Sequence, residues 1–170
     1  MTQSQFEKEY EDAVNCSDFK RAMEICNRYL EIDSRSPSAF RKRASLRARE
    51  FDFIQAISDI TKAIEFVPDD ASFYFFRGWW QLEMGNFEEA VADQTKAIEL
   101  GDKFGSHYHD ESAFCFRAVA LLHLKRFHDA LSDCERVRSD FLVYLRSLGR
   151  ITTEDIISNA KKGILPSSPR

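Results

Sequence analysis

Residues 61–65 read Thr-Lys-Ala-Ile-Glu, and the same five residues return at 95–99. Outward from this match, residues 37–70 align with residues 71–104 without a gap, at a constant offset of 34. Further identities between the two copies are Arg43/Arg77, Phe53/Phe87, Ala56/Ala90 and Asp59/Asp93. A fixed period of this length is typical of chains in which one supersecondary unit is repeated and stacked. The sequence therefore predicts a repeat protein.

Each copy contains two blocks of helical periodicity. Apolar residues recur at helical spacing on both sides of a break, which lies near 51–53 in one copy and near 85–87 in the next. The first of these copies ends around Pro68, a residue type that stops helices. Each copy is thus predicted to be a helix, a tight turn and a second helix. A small residue such as Gly78 would let the two helices approach closely.

The same pattern continues in weaker form on both sides. A first copy over 3–36 has Tyr10 where a small residue is expected, and a fourth copy over 111–144 is displaced by an insertion at 101–110. The residues that carry the extension are Phe6, Phe19, Ala22 and Cys26, and then Phe114, Ala118, Phe127, Ala130 and Cys134. The repeat is therefore predicted to cover roughly residues 3–144.

The repeated residues resemble the tetratricopeptide-repeat (TPR) family. Its aromatic, small, turn and Ala positions are occupied by Phe40, Ala44, Phe53, Ala56, Ala63 and Pro68 in one copy and by Tyr74, Gly78, Gly85, Phe87, Ala90 and Ala97 in the next. The resemblance implies an all-α fold, a right-handed superhelix of stacked helix-turn-helix hairpins in a single domain over 1–170. It also implies a non-catalytic protein-protein interaction module.

A C-terminal capping helix is expected over about 152–163. Thr152 supplies an N-cap, Glu154 and Asp155 favour the first turn, and Gly163 supplies a stop. A repeat array needs such a cap, because its last apolar face would otherwise be exposed. Residues 165–170 are expected to form a frayed tail.

The resemblance also implies a partner-binding groove lined by the first helix of each hairpin. The side chains one stripe away from the packing residues are expected to face it. They are Arg41, Lys42, Ser45 and Arg49 with Ser38, then Phe75, Phe76, Trp79 and Glu83 with Ser72, and finally Cys115, Phe116, Val119 and His123 with Ser112. Aromatic anchors flanked by cations favour a protein or peptide that offers apolar and acidic side chains.

Two alternatives bear on that groove. The aromatic run over 73–80 could instead fill a wide core, since aromatic stripes at helical spacing are often buried. The TPR subset that grips the C-terminal carboxylate of chaperones has an Asn where this chain has Asp12, and cations where it has Ser72 and Phe76. The sequence therefore argues against a chaperone-tail clamp.

Charged pairs recur with the same period. Arginines occupy equivalent places in the first helices and aspartates in the second, namely Arg43, Arg77 and Arg117 with Asp59, Asp93 and Asp133. This pattern predicts a buried or half-buried Arg–Asp ladder that fixes the register of the helices. The alternative is a set of independent surface charges.

Composition limits the class of protein. A net charge of −4 argues against a dedicated nucleic-acid binder, although the basic residues around 41–49 leave a local contact open. No leader peptide or membrane span is expected, so the cytosol is the predicted compartment. The four cysteines are widely spaced and are interpreted as reduced core thiols, without a disulfide.

The sequence contains no phosphate-binding loop, no G-x-S-x-G nucleophile motif and no H-E-x-x-H zinc motif. The expectation is accordingly no enzyme, no cofactor and no metal. The alternative is a metal-binding sensor or enzyme that uses His107 and His109 in the inserted loop, although two histidines alone would chelate weakly.

The predicted function is thus to bind a partner protein or peptide through the groove. An adaptor, a chaperone and a neutralising, immunity-type protein all fit this description. Homo-oligomerisation is left open by the sequence.

Overall fold

The computed structural model describes residues 1–107 and 109–166. The chain divides into two compact units, residues 1–69 and 70–170, which we call the N-terminal unit and the C-terminal unit. The N-terminal unit contains α1 (Gln3–Asn15), α2 (Phe19–Ile32), α3 (Pro37–Arg49) and α4 (Phe53–Phe66). The C-terminal unit contains α5 (Ala71–Glu83), α6 (Phe87–Phe104), α7 (Asp110–His123), α8 (Phe127–Cys134), β1 (Leu142–Leu145), β2 (Gly149–Thr152) and α9 (Thr153–Lys162).

The prediction of an all-α repeat fold is confirmed. Helix pairs begin at Gln3, Pro37, Ala71 and Asp110, close to the starts that the repeat predicts. The single domain over 1–170 stays a prediction, and most of the tail expected over 165–170 lies outside the described residues. Among the residues described, none of the helices has the length and apolar character that crossing a lipid bilayer requires.

The turn inside each hairpin has one repeated backbone conformation. Ser17, Phe51, Gly85 and Lys125 occupy equivalent positions and have φ angles of 59°, 65°, 80° and 58°. Three of these four residues are not glycine, although the left-handed region favours glycine. The residue that follows starts the second helix, and Asp18 and Asp52 do so by accepting a backbone N–H three residues ahead. The repeat is therefore expressed in the turns as well as in the helices.

The predicted Arg–Asp pairs are confirmed. Each arginine donates from Nε and Nη2 to both carboxylate oxygens of its aspartate, at distances of 2.6–2.8 Å. The pairs are Arg43–Asp59, Arg77–Asp93 and Arg117–Asp133. Since each pair joins the first and second helices of one hairpin, it fixes their register.

Two of these arginines also reach the preceding helix. The Nη1 atom of Arg43 donates to the side-chain oxygen of Asn27 at 2.9 Å, and that of Arg117 donates to Thr95 at 3.0 Å. Asn27 lies in α2 and Thr95 in α6. The pairs therefore tie consecutive hairpins together within each unit.

Close helix approach at the predicted small residue is also confirmed. A Cβ atom on Gly78 would lie 2.9 Å from Nε2 of Gln94 and 3.0 Å from Cβ of Asp93. Both distances are shorter than a side chain tolerates without movement of its neighbours. Gly78 thus lets α5 approach α6.

The C-terminal segment differs from a continued repeat. Helix α8 ends at Cys134, and two strands follow, paired antiparallel with Val143 opposite Ile151. The N–H of Leu148 donates to the carbonyl of Leu145, and Gly149 has a φ of +75°, as in a three-residue hairpin loop with a bulge. The sequence did not predict this hairpin. Helix α9 then begins at the predicted N-cap, Thr152.

The core of the C-terminal unit surrounds α7. Nine of the 14 residues of this helix are buried, far more than a helix with one solvent-facing side would bury. The hairpin and α9 contribute Val143, Leu145, Ile151 and Ile156 to the same cluster. Helix α7 is therefore an interior helix.

Candidate functional site

The first-helix face of the N-terminal unit is the stripe of α3 that contains Ser38, Arg41, Lys42, Ser45 and Arg49, together with the adjoining side of α1. Lys42 was predicted to face a partner. In the structure it is only 8% exposed, its Nζ lies 2.9 Å from Glu7, and it lies 4.3 Å from the centre of the Tyr10 ring. The charge of Lys42 is thus neutralised inside the unit.

Glu7 is the centre of this polar group. It also accepts a hydrogen bond of 2.6 Å from the Ser38 hydroxyl. Burial raises the pKa of Glu7, but the hydrogen bonds from Ser38 and Lys42 and the nearby cations outweigh it, so the net pKa lies below the ordinary value. Burial raises the pKa of Tyr10 to about 12. Glu7 therefore stays ionised and Tyr10 neutral near neutral pH.

Arg41 is placed differently from its neighbours. It is half-buried, and within the described residues it makes no ion pair. Ser45, one turn on, donates its hydroxyl to the Arg41 carbonyl at 3.1 Å. Arg49 lies with its guanidinium 3.8 Å from the centre of the Phe19 ring. Of the predicted cations of α3, Arg41 and Arg49 are therefore the two that have no carboxylate partner among the described residues.

The first-helix face of the C-terminal unit is the stripe of Phe75, Phe76, Trp79 and Glu83 in α5 and of Cys115, Phe116, Val119 and His123 in α7. It is largely covered. Phe75, Cys115, Phe116 and Val119 are each no more than 5% exposed, whereas Phe76 and Trp79 are half-buried. The four covered side chains do not line an open groove in this structure.

Aromatic stacking accounts for part of this burial. The Trp79 and Phe116 rings stack with centroids 5.6 Å apart, and Phe75 and Phe116 stack at 5.8 Å. From the inserted loop, His109 stacks on Phe75 at 4.1 Å and meets Phe76 edge-on at 5.6 Å. The loop therefore covers one end of the aromatic cluster.

The β1–β2 hairpin covers more of this face. The Glu83 carboxylate accepts the backbone N–H groups of Arg146 and Ser147 at 2.9 and 3.3 Å. Sequence reasoning missed this contact. The signal that could have indicated it is the alternation of outward and inward apolar residues over 142–145, followed by Gly149.

His123 lies at the edge of the same face. Its ring stacks on Phe87 with centroids 4.2 Å apart. Arg49, at the equivalent position of α3, stacks on Phe19 in the N-terminal unit. It lines a cavity of about 220 Å³ together with Leu148 and the end of α5. Burial holds the pKa of the imidazole below its ordinary value of 6.5, so the ring is neutral at pH 7.

The stability of the protein should therefore fall in mild acid in a way that depends on His123. Because the unfolded chain binds this proton more readily than the folded one, the free energy of unfolding decreases as the pH falls below about 6.5. Urea denaturation at pH about 7.5 and about 5.5 should show a smaller decrease for His123→Gln than for the wild type. The matched control is His128→Gln, which replaces a side chain that is 98% exposed. Equal pH dependence in all three proteins would contradict the assignment.

The inserted loop does not bring together His107 and His109, the two residues of the alternative metal site. His109 stacks on Phe75, whereas Nδ1 of His107 lies 2.7 Å from Oδ2 of Asp110 and 4.0 Å from Oδ1 of Asp102. One ligand-type atom from each of Asp102, His107 and Asp110 lies within 4.8 Å of the others. Tyr108 is outside the described residues. The loop thus places His107 between two carboxylates and separates it from His109.

Three of the four cysteines are buried, as predicted, but the interpretation of Cys16 as a core thiol is wrong, because Cys16 is exposed. All four are free thiols. Burial raises the pKa of Cys26 to about 12, that of Cys115 to about 11 and that of Cys134 to about 12. Thiols with such values are poor nucleophiles at neutral pH.

Comparison with known proteins bears on this architecture. The sequence model of the tetratricopeptide repeat matches residues 71–100, which correspond to most of α5 and α6. None of the curated proteins matches the chain significantly.

Solved structures share the fold at low sequence identity. MamA superposes with a TM-score of 0.78 at 15% identity over 94% of this chain and 81% of MamA. The TPR2B domain of yeast Sti1, solved with pHsp70, gives 0.63 at 16% identity over 76% of this chain and 95% of that domain. YrrB, a TPR protein with an unusual peptide-binding site, gives 0.66 at 17% identity over 74% of this chain and 62% of YrrB. Residues 71–100 thus match the tetratricopeptide repeat, and the chain shares the all-α repeat fold of these solved structures.

Proposed function

We propose that this chain is a non-catalytic module that binds a protein or peptide, as an adaptor, a chaperone or a neutralising protein. Two of the proteins that share its fold, the TPR2B domain of Sti1 and YrrB, were solved as a peptide complex and as a protein with a peptide-binding site. The four free thiols fit a reducing compartment such as the cytosol.

The observation that carries the proposal is the first-helix face of the N-terminal unit. There the accessible part of α3 offers the Arg41 guanidinium and the Ser45 hydroxyl beside the neutralised Glu7–Lys42 pair. A cation next to a polar, already satisfied surface suits an acidic side chain from the partner. We infer that the partner places a carboxylate on Arg41 and packs apolar side chains against the stem of that residue and against Tyr10.

Arg41→Glu should slow the association with the partner about tenfold at low salt, and the effect should shrink at high salt, because accessible charges act mainly by steering the encounter. The experiment is affinity capture from native cells with wild type and variant, followed by kinetics on any partner that the variant loses. Lys20→Glu, an exposed charge reversal on α2, is the matched control. If wild type, variant and control capture the same proteins equally, this face is not the binding surface.

A further inference from the structure

The β1–β2 hairpin packs on the first-helix face of the C-terminal unit. Val143 and Leu145 of β1 are 6% and 0% exposed and belong to one apolar cluster with Cys115 and Val119 of α7. Their neighbours Leu142 and Tyr144 are 44% and 67% exposed. The strand thus buries alternate side chains, as an extended peptide does when it binds to a protein surface.

Glu83 marks the place where the hairpin turn docks. Arg49 and His123, at the equivalent positions of α3 and α7, stack on aromatic rings. Glu83 instead accepts the backbone N–H groups of Arg146 and Ser147. Hydrogen bonds to a carboxylate are stronger than those between neutral groups. This side chain therefore selects a segment that presents free backbone N–H groups at that point.

Trp79, which stacks on Phe116, carries a buried hydrogen-bond donor. Nε1 of Trp79 is buried, and the described residues provide no hydrogen-bond acceptor for it. A buried donor without an acceptor is unfavourable.

We propose that the hairpin, residues 141–152, is an intrachain ligand of this face, and that the face is a receptor for extended segments with alternating apolar side chains. When the hairpin leaves, a partner segment of that chemistry takes its place, with its backbone N–H groups on Glu83. This proposal deepens the proposed function and rests on it, since it names how binding at the C-terminal unit is regulated. Partner binding at Arg41 does not require it.

Thiol labelling of the full-length chain tests the release of the hairpin without any partner. Cys115 is 1% exposed in the apolar cluster that also contains Val143 and Leu145 of the hairpin, Cys26 is buried in the N-terminal unit, and Cys16 is exposed. Glu83→Gln should raise the labelling rate of Cys115 about tenfold, the effect of losing a hydrogen bond to a charged group. Cys26 should label at the wild-type rate. Glu88→Gln, an exposed glutamate of α6, is the control.

A second variant guards against a folding defect. Leu145→Ala weakens the apolar packing of the hairpin and leaves Glu83 unchanged. It should also raise the labelling rate of Cys115 more than that of Cys26. If the labelling rates of Cys115 and Cys26 increase by the same factor in both variants, the chain opens globally and the proposal is overturned. It is equally overturned if Cys115 labels at the wild-type rate in both.

A synthetic peptide with the sequence of residues 141–152 tests the receptor itself. It should bind the Leu145→Ala variant, in which the receptor face is unchanged, at least about tenfold more tightly than the wild type, whose own hairpin competes at high effective concentration. Glu83→Gln, which also removes the acceptor of the peptide N–H groups, should bind the peptide less tightly than Leu145→Ala. A scrambled peptide is the control. Equal binding to the wild type and Leu145→Ala, or no binding to either, would overturn the receptor role. Neither result depends on the natural partner, so the proposed function is tested separately by the Arg41 experiment.

Discussion

Asp59→Ala is expected to lower the free energy of unfolding by about 3 kcal/mol, because it leaves two arginines without their carboxylate. Asp59 is 3% exposed and accepts from Nε and Nη2 of Arg43 and from Nη1 of Arg47, each at 2.8 Å. The arginine side chains are about one-fifth exposed, at 17% and 22%, which places the effect at the lower end of the range for buried pairs. Urea denaturation followed by circular dichroism measures it.

The control for this prediction is a solvent-exposed ion pair in the same helix, α4. Glu65 lies 2.9 Å from Lys62, and both side chains are about half exposed. Glu65→Ala should change the free energy of unfolding by only a few tenths of a kcal/mol. If Asp59→Ala costs no more than Glu65→Ala, the repeated pairs are surface charges without a structural role.

Phe116→Ala should destabilise the protein by about 3 to 4 kcal/mol, as expected when a buried aromatic side chain is deleted. Phe116 is 5% exposed and stacks against both Phe75 and Trp79. Thermal unfolding and urea titration should both show the loss. The matched control is Tyr144→Ala, which removes an aromatic ring that is 67% exposed in the same unit. A stable Phe116→Ala protein that binds its partner weakly would instead assign this ring to the binding surface.

The repeat could be predicted from the sequence because its physical causes are local. Small residues between the helices, Ala44 and Gly78, and the run Thr-Lys-Ala-Ile-Glu recur at fixed spacing, so each copy supports the assignment of the others. The Arg–Asp pairs were predictable for the same reason. Arg43 and Asp59 are 16 residues apart, and the same separation returns in the next two pairs.

The candidate site was less predictable, because exposure depends on segments distant in sequence. Cys115 and Val119 lie on the stripe that the repeat assigns to a groove, yet a hairpin about 25 residues further on covers it. Strands of four residues carry little periodic signal. Only one residue separates His107 from His109 in the sequence, yet their side chains contact different neighbours. Sequence spacing alone could not decide either arrangement.

The left-handed turn residues have a consequence for protein engineering. Ser17 and Lys125 adopt a backbone conformation that costs a residue with a Cβ atom roughly 1 kcal/mol and costs glycine little, and Gly85 shows that the same turn accepts glycine. At these two equivalent turn positions, the natural chain is therefore less stable than it would be with glycine. Proteins retain such reserves when selection demands only that they remain folded. An idealised array built from these hairpins would recover that stability by placing glycine in every turn.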